Sequence, residues 1–411
     1  KTDEALKKRH FIFSTMQWPW LVKIGTTMTK FALAARLPVK GLIKSTIFDM
    51  FCGGETLDGC QRSSHELAAF GIGAIFDYSV EGEKTDSCII FCGHYDHLGL
   101  MGPGVIFPGA NDNASGMAGA IEAARVLSQY RFDANIVFAG LSGEEQGLFG
   151  GQIMAETARD EGWFIQAVLN NDMIGNIRGQ NGVINNRSVR VFSEATRPIE
   201  TPEARRWRRF FGGENDGPSR NLARYIAHLG ETHLPNLDVM MIYRLDRFGR
   251  GGHHRPFNEV GFPAVRIMET NEHYHRQHQD LRVENGIRYG DTVDWVDFDY
   301  ARSVTGLNVI TLAALATAPE PPRSVSLSGQ VSPDTTLKWE RVPGAVGYEI
   351  HWRLTTDAHW RWSVRVGDVT AHTLKDVVID NYLFGVSSIA EDGMASPVVF
   401  PGPIGSVRYD Q

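Results

Sequence analysis

The sequence predicts an α/β protein with a mostly parallel central sheet flanked by helices, followed by a C-terminal all-β sandwich. Three observations carry this prediction. Strand-like apolar runs alternate with helix-like segments from about residue 86 to 317. Strands separated by helices need crossover connections, and crossovers make strands parallel. At Ala318-Pro319-Glu320-Pro321-Pro322 the alternation stops, and short runs divided by Pro, Gly and Asp turns follow, with no helical period.

In chain order, strands are expected at 87–92, 135–140, 167–171, 188–193 and 263–268, and helices at 115–130, 147–160, 218–231 and 299–317. The helix from Ser115 places Met117, Ala120, Ile121, Ala124 and Leu127 at spacings of three and four, an amphipathic pattern. The proline-rich 318–322 reads as a stiff linker. Beyond it, 324–327, 336–339, 348–353 and 382–386 alternate as sandwich strands. The domains expected are a partly helical N-terminal segment, 1–85, that packs on or contributes to the α/β domain at 86–317. The linker, a sandwich at 323–403 and a tail at 404–411 follow. Within the first segment, 5–10 and 27–37 read as helical, and 64–83 as a strand edge and turn. No functional reading attaches to it.

The 411 residues exceed one ordinary domain of ~100–200 residues. An apolar fraction of 42% with 22% charged residues is that of a globular protein. The net charge of −7 provides no basic footprint, so nucleic acid is not an expected partner. The local exception, Arg205-Arg206-Trp207-Arg208-Arg209, reads as a solvated helix face or an acid-paired cluster. No apolar run approaches the ~20 residues that span a bilayer. The stretch 11–22 is broken by Gln17 and Pro19 and does not read as an intact signal peptide. A first residue of Lys1 is compatible with a leader already removed, and so with export.

Cys88 and Cys92 share one expected strand, where their Cα atoms would be ~13 Å apart, too far for a disulfide. They read as small buried residues. Cys52 and Cys60 bracket a Gly-rich loop that can close into a bridge.

The chemistry gathers at expected strand ends. After 87–92 comes Gly93-His94-Tyr95-Asp96-His97, after 135–140 comes Ser142-Gly143-Glu144-Glu145, and after 167–171 comes Asp172. Parallel strands share the edge at which their carboxyl ends emerge, and ligand sites form there. His94, Glu144, Glu145 and Asp172 should therefore converge. Asn111-Asp112-Asn113 precedes the 115–130 helix, where such residues also serve as caps. After 263–268, His273, His275 and His278 lie within six residues, and at least one is expected to bind metal. Imidazole and carboxylate donors without thiolate suit Zn²⁺, with Co²⁺ or Mn²⁺ as substitutes. Two such ions can share a bridging carboxylate and a hydroxide, and a glutamate beside it can accept the proton.

At these residues the chain resembles the M28 family of zinc aminopeptidases. The matching segments are 93–96, 109–116, 142–147, 171–173 and the histidine cluster at 273–278. The resemblance implies a zinc exopeptidase-like fold. It implies two Zn²⁺ ions held by His94, Asp112, Glu145, Asp172 and a late histidine, with Asp112 bridging. His278 is preferred as that histidine, and His275 is the alternative. It further implies that Glu144 is the general base, assisted by Asp96 orienting His94, in an aminopeptidase acting on peptides with a free N-terminus through metal-bound hydroxide. His97 has no role in the family and reads as a hydrogen-bonded structural histidine. His253 stands where the family carries an acid, and Asp246 is a candidate to compensate. Residues 322–403 resemble a fibronectin type III module, whose partner is unknown. Similar two-part chains suggest an exported protein, bacterial periplasmic or secreted. Two rival readings are a mononuclear glutaminyl cyclase, which shares the fold and motifs, and an inactive peptidase fold that presents its sandwich to a partner.

Overall fold

The structure, a computed structural model, describes residues 87–100 and 104–407. The expectations for 1–85, including the Cys52–Cys60 bridge, lie outside the described residues, as does 408–411 of the tail.

The described chain opens with β1 (Cys88–His94), the short pair β2 (Gly99–Leu100) and β3 (Ile106–Phe107), α1 (Ala114–Leu127), β4 (Asn135–Leu141), α2 (Phe149–Asp160) and β5 (Ile165–Asn171). Next come β6 (Ser188–Ser193), α3 (Pro202–Phe211), α4 (Pro218–His233), β7 (Asp238–Ile242), α5 (His254–Glu259) and β8 (Ala264–Glu269). The hairpin β9 (Arg282–Glu284) and β10 (Ile287–Tyr289) leads to α6 (Phe298–Thr317). The six-stranded sheet has the order β4-β1-β5-β8-β6-β7. β4, β1, β5 and β8 are mutually parallel, so their carboxyl ends share one edge.

β1 and β5 are buried at every residue, as befits strands covered on both faces. Alternation along β1 divides the core in two. Ile89 and Phe91 join Leu169, Val265 and the apolar sides of α1, α4 and α6. Cys88, Ile90 and Cys92 join Val168 and Ala155, Ala158 and Phe257 of α2 and α5. Each large side chain so buried contributes about 1.5–3 kcal/mol. Both cysteines are buried free thiols, as their spacing requires.

The expected strands and helices of this region are all present, with shifts of up to three residues at their ends. The sheet is mixed because β6 runs antiparallel to β8. No helix lies between β5 and β6 among these residues, so the connection reverses the chain rather than crossing over. The arginine-rich segment forms α3. Arg208 pairs with Glu200 at 2.9 Å, while Arg205, Arg206 and Arg209 are exposed, so both halves of the bland expectation hold. β7 and α5 are further additions, at five and six residues too short to show a clear period.

After α6 come two three-stranded antiparallel sheets. One has the order β11 (Ser326–Ser328), β12 (Thr335–Lys338), β15 (Ala371–Leu374), and the other β14 (Trp362–Val366), β13 (Gly347–Leu354), β16 (Tyr382–Ile389). They enclose Leu337, Trp339, Tyr348, Ile350, Phe384 and Val386, and the Tyr348 hydroxyl accepts from Val342 N at 2.8 Å. Arg353 of β13 reaches the turn before α4, where its Nη2 donates to Asp216 Oδ1 at 2.6 Å, and Arg224 Nη1 of α4 lies 3.3 Å from the same oxygen. Arg224 Nε donates to Ala358 O at 2.7 Å. Asp216, Arg224 and Arg353 are all buried. Removing one partner of a buried ion pair leaves an uncompensated charge, at a cost of about 3–5 kcal/mol. Asp216→Ala should therefore lower stability by about that amount in urea unfolding. A loss no larger than that of a surface substitution would disprove this role.

Candidate metal centre

The shared strand edge carries the chemistry. His94 is the last residue of β1, Glu144 and Glu145 follow β4, Asp172 follows β5, and His278 lies on the loop after β8. His94, Asp112 and Asp172 are buried. His94 Nε2 lies 3.3 Å from Asp112 Oδ1 and 3.7 Å from Asp172 Oδ1. His278 Nε2 lies 3.0 Å from Asp112 Oδ2 and 3.1 Å from Glu145 Oε1. Asp112 thus offers one oxygen to each imidazole. His275 is turned away, its Nε2 3.0 Å from Gln180 Nε2 and its ring against Tyr289.

Two carboxylates, the partly buried Asp96 and the buried Asp291, hold the loops that carry these groups. Asp96 accepts from the backbone N–H of Glu144 and of Glu145, one oxygen each, at 3.2 Å. His94 Nδ1 is instead 3.0 Å from the Asp96 backbone carbonyl and 3.7 Å from its carboxylate. Asp96 therefore orients His94 through its main chain, while its side chain sets the paired glutamates. Asp291 acts in the same way on the opposite loop. It accepts from Asn111 N at 2.9 Å and from Asp112 N at 2.7 Å. The Asn111 side chain is in turn fixed by Glu269 and by Gly175 N. Asn113 caps α1 by accepting from Gly116 N, and its amide donates to Asn171 O at 2.8 Å. A Cβ on Gly116 would meet Asn113 Oδ1 at 2.4 Å and Asn171 O at 2.5 Å, so only glycine allows this approach.

Burial opposes the charges here, and neighbours decide the outcome. On His94 the burial penalty is outweighed by Asp172 and Asp112, which raise its pKa to about 12. Hydrogen bonds to Asp112 and Glu145 raise His278 to about 10. Asp112 is held well below the usual carboxylate range, against burial, by His278 and His94. Asp172 is lowered, against burial, by Arg266 and His94. Glu144 differs: burial, reinforced by Asp172, pushes it up to about 8. Arg266 is fully buried, with Nη2 2.9 Å from Asp172 Oδ2 and Nη1 3.0 Å from Asp246 Oδ2. Asp246 also lies 3.6 Å from His254, so it does stand beside that histidine, although its main partner is Arg266. His253 is fully buried, edge-on to His94 at 6.2 Å, and burial pushes it down to about 3, leaving it neutral.

These residues fit a metal ion. The buried Nε2 of His94 has no hydrogen-bond partner, although carboxylate oxygens surround it. One donor atom from each of His94, Glu144 and Asp172 lies within 4.8 Å of the others, as does one from each of His97, Asp112 and Glu145. Nitrogen and oxygen donors without thiolate suit zinc.

Arg266, Asp291 and Glu269 were not anticipated. Each is a single charged residue in an ordinary context, and only its burial against a ligand-bearing loop marks it. Asp291→Ala should weaken zinc binding about 10–100-fold, as loss of an outer support commonly does, read by titration against a chelator. Undiminished affinity would show that the loop holds its shape without Asp291. Burial pushes Glu269 from 4.5 up to about 8, although Asn111 and Asn176 donate to it. The folded state therefore favours its protonated form. The stability it contributes is full below about pH 4.5 and is lost as pH rises towards 8. Urea unfolding at constant metal loading should show wild type losing stability relative to Glu269→Gln between these limits. A gap independent of pH would contradict the assignment.

The model of Peptidase family M28 matches residues 78–292. A probable zinc metalloprotease of Pyrenophora tritici-repentis is 38% identical, over 79% of this chain and 77% of the relative. One of Leptosphaeria maculans is 40% identical, over 78% and 75%. Among solved structures, the Legionella pneumophila LapA aminopeptidase is 23% identical with a TM-score of 0.42, over 58% of this chain and 54% of its own. The family model covers more than half of the chain, and it takes in His94, Asp112, the paired glutamates, Asp172 and His278: this chain belongs to peptidase family M28.

Proposed function

We propose that this peptidase is a dinuclear zinc aminopeptidase that removes N-terminal residues from peptides. The observation that carries the reading is the division of two adjacent side chains. Glu144 groups with His94 and Asp172, whereas Glu145 faces His278, with Asp112 between the two sets. His94 and Asp172 would hold one ion, Glu145 and His278 the other, and Asp112 both. Zinc, when bound, supplies Lewis acidity that polarises a peptide carbonyl and makes water more acidic.

The remaining work belongs to the chain. Glu144 is a poor ligand and a good proton acceptor for the same reason: burial and Asp172 raise its proton affinity towards neutrality. It takes a proton from the attacking water and returns it to the departing amine nitrogen. Asp96 sets the backbone of Glu144 and Glu145 together, so base and ligand keep a constant relation. Arg266 holds Asp172 ionised and therefore able to bind. We read the C-terminal pair of sheets as a fibronectin type III-like module. Its three-plus-three antiparallel strands and the packing of Trp339 on Tyr348 support this.

Glu144→Gln should lower kcat on aminoacyl anilides by about 10²–10⁴ while zinc content is retained. Wild-type turnover in that variant would refute the base assignment. Equal cleavage of N-acetylated substrates would refute the aminopeptidase reading, and cyclisation of Gln-peptides would replace it with cyclase activity.

A further inference from the structure

We propose that His97 is a positioning residue of the metal centre, whose Nδ1–H fixes the carboxylate of Glu145. This rests on the reading of Glu145 and His278 as ligands of one ion. His97 Nδ1 lies 3.0 Å from Glu145 Oε1, the same oxygen that lies 3.1 Å from His278 Nε2. The two imidazoles therefore flank one carboxylate, their ring centroids 5.8 Å apart.

Their chemical positions differ. A histidine that gives its Nε2 lone pair to a metal ion can no longer donate a hydrogen bond from that nitrogen. Once His278 binds metal, Glu145 loses the donor it faces there, while Asp112 nearby still repels it. His97 then supplies the remaining N–H. A ring that donates from Nδ1 does not ligate through that nitrogen, so through Nδ1 His97 acts on the Glu145 carboxylate and not on the ion.

The surroundings hold the His97 ring in place. Its side chain is 9% exposed, and its ring lies edge-on to Phe107 at 6.5 Å. Gly109, at φ +70°, passes under it: a Cβ there would lie 2.8 Å from His97 Cγ. His97 is thus wedged between the loop of Glu145 and the loop that leads to Asp112, and contacts both.

The test uses the full chain, stripped of metal and titrated with Zn²⁺ against a chelator, then loaded with Co²⁺ for absorption spectroscopy. His97→Ala should weaken one binding step about 10–100-fold, as loss of a ligand's outer partner does. His97→Asn places an amide N–H near the former Nδ1 and should restore binding, whereas His97→Gln should not. The Co²⁺ bands of the saturated Ala variant should match wild type, because no ligand has been lost. Unchanged affinity in His97→Ala would overturn the proposal, as would altered Co²⁺ bands, which would make His97 a ligand. His278→Ala tests the ligand reading separately. Unchanged affinity there refutes that reading, while a loss there with none in His97→Ala refutes only the role of His97.

Discussion

Asp112, Glu144, Glu145 and Asp172 stand together at one sheet edge, and like charges in so small and dry a space repel strongly. The rest of the centre follows from the need to compensate them. His94, His278 and Arg266 each face carboxylate oxygens, and Arg266 adds a permanent positive charge beside Asp172. Glu144 is the member left without such a partner, and its proton affinity rises accordingly. The same imbalance that favours a bound cation thereby produces a base beside it.

Holding such a cluster requires stiff loops, because side-chain repulsion would otherwise spread them. Asp96 and Asp291 meet that need with one device: a carboxylate across two consecutive backbone amides. The device costs side-chain desolvation, and Asp291, pushed up to about 6 by burial, shows the cost. Its benefit is that ligand-bearing residues are set by main-chain bonds and do not depend on their own rotamers. A second buried charge cluster, Asp216 with Arg224 and Arg353, ties the C-terminal sheets to α4 and the turn before it.

Much of this was legible in the sequence. Runs such as Cys88-Ile89-Ile90-Phe91-Cys92 announce a strand buried on both faces, and the helix from Ala114 announces its apolar side. Parallel strands then oblige His94, Glu144 and Asp172 to meet, whatever their separation along the chain. The supporting residues were not legible. Asp291 and Arg266 have no periodic signature and no distinctive spacing, and the sequence marks His97 as a hydrogen-bonded histidine without naming its partner. β6 also escaped prediction in direction, because strand polarity depends on how the 172–187 connection turns and not on the strand's own residues.

The sequence by itself determined the order of elements, the identity of the donor groups and the membership of the family, since these depend on local pattern and residue chemistry. Tertiary structure alone decided which groups share a charge: that Asp112 faces two imidazoles, that His278 and not His275 turns inward, and that Asp96 grips the glutamates' amides. Those outcomes depend on burial and on distances of about 3 Å between residues remote in the chain, where electrostatic and hydrogen-bond energies are set.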